Sequence, residues 1–161
     1  MTEVRMDQAG FAELAEDLLR RGMAVRFRAH GRSMEPMVRD GDVLTVEPAR
    51  LAELRVGDIA LHRVGNGQLV AHRVVARCAA GGRALLATRG DAAFGAADRV
   101  GERDVLGRVV ARERDGRAVR LGRGVRRVGG RLWVTVLACR VLARRLAGAG
   151  RRLAGRLARR A

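Results

Sequence analysis

The chain has 161 residues, 48% of them hydrophobic, which is enough for one domain with a core of its own and excludes a disordered polymer. Aromatic residues reach only 2% and tyrosine is absent, so the interior is expected to be packed in small layers from Val, Leu and Ala. The formal net charge of +16 rests on 33 arginines and no lysine, which excludes any chemistry that relies on a lysine amine as base.

The charge is unevenly placed. Residues 1–30 carry five acids and five arginines, and residues 31–112 carry ten acids against thirteen arginines. Residues 113–161 hold fifteen arginines and two acids, so the excess belongs to a C-terminal appendage. Three segments are expected: an N-terminal amphipathic helix over 1–22, a β domain over 23–121 and an arginine-rich helical tail over 122–161. The opening MTEVRMDQAGFAELAEDLL is acidic and has no continuous apolar run, so no secretory signal is expected there. The longest uncharged stretch near the C terminus, LWVTVLAC, has eight residues against the roughly 20 that span a bilayer, and no transmembrane segment is expected.

In chain order, Phe11, Leu14, Ala15, Leu18 and Leu19 recur at helical spacing, with Gly22 as a stop. MAVRFRAHG then alternates, with Val25, Phe27 and Ala29 on one side and Arg26, Arg28 and His30 on the other, as in a half-buried strand. Further β-like runs follow at 43–48, 58–64, 68–77, 83–89 and 105–112, separated by Gly- or Asp-rich turns; GNG at 65–67 suits a tight hairpin. Short strands with turn signals between them predict a mainly β, antiparallel domain flanked by an N-terminal helix and a C-terminal basic amphipathic helix. In that tail Leu142, Leu146, Ala149, Leu153 and Leu157 form a stripe among arginines, interrupted by Gly148, Gly150 and Gly155. Such a helix suits anionic lipid, nucleic-acid phosphate or the domain's own surface. Cys78 and Cys139 match no metal-ligand spacing, and neither a metal nor a cofactor is expected.

The sequence contains a single serine, Ser33, within GRSMEPMVRDGD. With it, GRSMEP (31–36), DGD (40–42), VGDIAL (56–61), HRV (72–74), TRGD (88–91) and VLGRV (105–109) follow one another in an order that resembles the signal peptidase I group of serine peptidases, whose fold the self-cleaving SOS repressors share. The resemblance covers about half the chain. It implies that Ser33 is a nucleophile, and a serine hydroxyl needs a neighbouring base to take its proton. The lysine base of the common bacterial form is impossible here. The other branch of the group has histidine within HRV, and the resemblance carries that role to His72.

Strand alternation independently puts His72 on the apolar side of QLVAHRVVAR with Val70 and Val74. Taken alone, such a histidine is more often a core residue bonded to a carbonyl. His62, in the earlier ALHRV, is read as structural, and His30 matches no motif position. A histidine base is commonly oriented by a carboxylate. The resemblance assigns that role to Asp98, with Asp91 as the alternative, and each is also readable as a solvated turn acid. The backbone N–H of Ser33 is the expected oxyanion donor, Asp42 and Asp58 are read as turn residues, and Met34 and Pro36 as shaping the turn and lining the cleft.

The resemblance thus implies a serine endopeptidase acting on a peptide or protein precursor, with small residues before the cut. Where signal peptidases have a membrane-spanning segment ahead of the serine box, this chain has an amphipathic helix. The expectation is a cytoplasmic protein, attached peripherally to membrane if the tail binds it. A different class, a repressor-like regulator that binds nucleic acid through its tail, is the main alternative, and an inactive binding module on the same fold is another.

Overall fold

The computed structural model describes residues 7–65, 67–93 and 95–121. The helix α1 spans Gln8–Arg20. Asp7 caps it by accepting the Gly10 N–H at 2.9 Å, and the chain leaves it through Gly22, whose φ of 83° favours glycine. Ala12, Ala15 and Leu19 face inward. Glu16, also paired within the helix to Arg20, forms an ion pair with Arg63, and Gln8 accepts from Gln68 at 3.1 Å. These contacts fasten the helix to the 63–68 turn.

Eight strands follow: β1 (Val25–Arg28), β2 (Val43–Pro48), β3 (Ile59–Arg63), β4 (Leu69–Ala80), β5 (Arg83–Arg89), β6 (Asp98–Val100), β7 (Val105–Arg114) and β8 (Arg117–Arg120). They form one antiparallel sheet in the order β1-β2-β7-β3-β4-β5-β6, with β8 paired to β7. The mainly β architecture matches the sequence expectation. Sequence periodicity does not announce β6, β8 or the short 3-10 turn Leu51–Glu53. Each has three or four residues, too few to display a period.

Two apolar clusters hold the sheet. One joins Leu19 of α1 to Val25, Leu44, Val46, Ile59, Leu61, Leu106 and Val109, with Met34 and Val38 entering from the loop between β1 and β2. Phe11 meets Phe27 at a centroid distance of 4.9 Å beside it. The other joins Leu51 and Leu54 to Ala60, Val74, Leu86, Val100 and Val105. No large aromatic is needed in either, as the composition suggested. β3 and β4 form a hairpin whose register sets Ala60 opposite His72 and His62 opposite Val70, and this register positions the site.

Candidate active site

Ser33 lies in the loop between β1 and β2. The base of the loop is closed by the Ala29 N–H donating to the Asp42 carbonyl at 2.7 Å and the Gly41 N–H donating to the Ala29 carbonyl at 2.9 Å. At its entry Gly31 has φ 95°, and its N–H donates to Asp40 Oδ1 at 2.8 Å. Beyond Ser33 the Glu35–Pro36 peptide is cis, and the Val38 N–H donates to the Met34 carbonyl at 2.9 Å. Met34 and Val38 are buried, so they anchor the loop in the core. Met34 is therefore a packing residue, while Pro36 is exposed. Ser33 is exposed, and its backbone N–H makes no hydrogen bond among the described residues.

His72 of β4 brings Nε2 to 3.3 Å from Ser33 Oγ. Its other ring nitrogen, Nδ1, is buried, has no hydrogen-bond partner among the described residues and faces Asp98 Oδ2 at 3.6 Å. Asp98 opens β6, opposite Thr88 of β5, and its side chain is 55% exposed. The carboxylate therefore sits just beyond hydrogen-bond range of a nitrogen that has no other acceptor among the described residues, and a small rotation of an exposed side chain closes the gap. Burial lowers the His72 pKa below the ordinary 6.5; the charges of Asp98 and Asp91 pull the other way without cancelling it. At neutral pH the ring is uncharged and its Nε2 lone pair can take the serine proton.

A hydroxyl, an imidazole and a carboxylate so placed can pass a proton from the hydroxyl to the ring. The family model described as Peptidase S24-like matches residues 3–110. The chain belongs to the Peptidase S24-like family. No curated protein matches it. The matched span of this S24-like chain contains Ser33, His72 and Asp98 and supports a peptidase fold.

The S24-like site is held by a second pair. Arg73, next to His72, makes two 2.6 Å hydrogen bonds to Asp91, through Nε to Oδ1 and Nη2 to Oδ2, and donates through Nη1 to the Gly57 carbonyl at 2.8 Å. Asp91 is fully buried and Arg73 nearly so. Asp91 is thus no solvated turn acid: its carboxylate is committed to Arg73. From the same turn, the Ala92 N–H donates to the Ser33 carbonyl at 2.8 Å, and Gly90 lies against the Ser33 backbone. One buried ion pair therefore links the strand carrying His72 to the turn that supports Ser33. The sequence carried no signal for it: alternation puts Arg73 on the face of β4 opposite His72, which reads as the solvent side, and only the turn after β5 buries it.

The remaining motif residues lie apart from Ser33 or play other parts. His30 is exposed, 3.7 Å from Asp40. Asp58 accepts the Arg55 N–H at 2.9 Å, as a turn residue does. Asp42 also accepts a turn N–H, from Arg39 at 2.8 Å, and in addition forms a two-bonded ion pair with Arg114 at 2.7 Å. His62 is completely buried beside His72. Among the described residues no group of His, Cys, Asp and Glu gathers for a metal, and no helix is long and apolar enough to cross a membrane. The expected basic tail helix at 122–161 lies outside the described residues.

Proposed function

We propose that this chain is a serine endopeptidase of the signal peptidase type, cutting a peptide or protein precursor through an acyl-enzyme on Ser33. The observation that carries this reading is the 3.3 Å approach of His72 Nε2 to Ser33 Oγ. His72 takes the hydroxyl proton as Ser33 Oγ attacks the carbonyl carbon of the scissile peptide. The unengaged Ser33 N–H is the candidate donor to the oxyanion. As the C–N bond breaks, His72 returns the proton to the leaving amine, and the acyl group stays on Ser33 as an ester. Water then gives a proton to His72 and attacks the ester carbon, and as the ester C–O bond breaks His72 returns that proton to Ser33 Oγ, releasing a carboxylic acid. Asp98 steadies the ring while it is charged. Resemblance to the signal peptidase group adds a preference for small residues before the cut.

A fluorophosphonate probe, which phosphonylates activated serines as the hydroxyl oxygen attacks phosphorus and fluoride leaves, tests the reading. Mass spectrometry should find the adduct on Ser33 in the unmodified protein and none after His72→Ala. An adduct that forms equally fast without His72 would show that the histidine is not the base.

A further inference from the structure

The tripeptide HRV occurs twice, at 62–64 and 72–74, and the fold lays the two copies on neighbouring antiparallel strands. With His62 opposite Val70 and Ala60 opposite His72, the two histidines are diagonal neighbours on one face of the β3–β4 hairpin. Their rings meet edge-on, with centroids 5.8 Å apart and planes at 66°. Ala60 presents only a methyl group directly across from His72, so the ring at position 62 supplies bulk that Ala60 lacks.

The surroundings of His62 define its state. Its Nδ1 lies 3.2 Å from the Arg63 carbonyl, an acceptor only, so Nδ1 carries the proton and donates. Nε2 is then a lone pair, which accepts the Thr88 hydroxyl at 3.0 Å. Both nitrogens are satisfied with the ring uncharged, and no part of the residue reaches solvent. Burial lowers its pKa, the nearby His72 adds to that, and the Arg63 carbonyl, Asp98 and Asp104 oppose it. Thr88 in turn is fully buried and pairs with Asp98 across β5 and β6. The wall beside His72 is thus a fixed ring, and its support continues to the strand that carries the facing carboxylate.

We propose that His62 is a positioning residue: an uncharged ring locked by Thr88 and the Arg63 carbonyl, against which His72 packs so that its Nε2 stays aimed at Ser33. The inference rests on the reading of Ser33 and His72 as nucleophile and base, and it adds a histidine that takes no proton. The groups facing His72 are Ser33 from the loop, His62 from β3 and Asp98 from β6, and the charge of Asp91, bonded to Arg73 in the turn after β5, also acts on it. Of these, His62 is the ring whose removal opens space beside His72. Water entering that space lessens the burial that depresses the His72 pKa, and the aim of Nε2 is lost.

The test compares the full chain with its His62→Ala, His62→Phe and Thr88→Val variants, using the rate at which the fluorophosphonate labels Ser33 and the NMR titration of His72. His62→Ala should slow labelling about 10-fold and raise the His72 titration midpoint, while His62→Phe, which restores the ring's bulk but not its two hydrogen bonds, recovers part of the rate. A folded His62→Ala protein with unchanged labelling and titration overturns the proposal, as does an equal loss of rate in His62→Phe. If His62→Ala does not fold, Thr88→Val decides: an upward shift of the His72 midpoint supports the role and an unmoved one overturns it. If the unmodified protein is never labelled, the peptidase reading fails, and the His72 titration in the same variants still decides whether His62 positions that ring.

Discussion

Gly90 lies directly against Ser33: a Cβ built on Gly90 would stand 2.5 Å from the Ser33 carbonyl oxygen and 3.0 Å from its Cβ. The backbone of Gly90 is not in the left-handed region, so position 90 demands room and not an unusual φ. The atom in the way is main chain and cannot swing aside. Gly90→Ala should therefore push Ser33 away from His72 and also strain the turn that donates the Ala92 N–H to Ser33. The expected result is a stability loss of about 1–3 kcal/mol and a fall in Ser33 acylation of about 100-fold, read by denaturant unfolding and probe labelling. Gly65→Ala, where nothing lies within 4 Å, is the control and should change neither.

Asp98 and Asp91 should separate cleanly. Asp98 is half exposed and faces His72 Nδ1, so Asp98→Ala should cut acylation about 10- to 100-fold with little change in unfolding midpoint. Asp91 is fully buried against Arg73, and removing it leaves a buried guanidinium unpaired. Asp91→Ala should cost about 3–5 kcal/mol and lose activity through unfolding or displacement of the turn. Equal stability of the two variants by thermal melting would contradict this division.

How far these roles could be read in the sequence differs residue by residue. Ser33 and His72 sit in short motifs whose order is informative, and alternation in QLVAHRVVAR gave His72 its face. Alternation and flanking turns were enough to put β2 and β5 at the expected bounds, while the longer β4 and β7 run on past residues 77 and 112. The distinction between Asp98 and Asp91 was not legible, because it depends on where a turn of small residues delivers the chain. Asp98 comes to His72 through the three-residue strand β6, which pairs with β5 and has no pattern of its own. The place of His62 depends on hairpin register, since shifting the β3–β4 pairing by one residue would turn it to the other face. Arg114 belongs to the 113–161 stretch whose charge marks an appendage, yet it closes on Asp42 and ties β7 to the serine loop.

The pH dependence of acylation follows from the depressed His72 pKa. The base is active when neutral, so activity falls as pH drops, and a lowered pKa places that fall below the ordinary 6.5. Asp98 works against the depression by stabilising the imidazolium. Asp98→Asn should therefore move the acid limb to still lower pH while lowering the plateau. The rate of probe labelling against pH measures both, and a limb shifted upward by Asp98→Asn would contradict the assignment of charge.

The Asp42–Arg114 pair predicts a stability that depends on acid. Burial alone would raise the Asp42 pKa, but hydrogen bonds from Arg114 and the Arg39 N–H, with the charges of Arg114 and Arg112, outweigh it and hold the carboxyl below the ordinary 3.8. A group whose pKa is lower folded than unfolded adds stability that is complete above the unfolded value and disappears as pH falls through the folded one. Asp42→Asn removes that contribution and leaves Arg114, whose side chain is 25% exposed, to solvent. At neutral pH the variant should be less stable by about 1–3 kcal/mol, a smaller loss than for Asp91 because Arg114 can rehydrate. As pH falls well below 3.8 the unmodified protein protonates Asp42 and the two unfolding free energies should converge. A gap that stays constant down to that range would mean that packing of the side chain, and not its charge, ties the serine loop to β7.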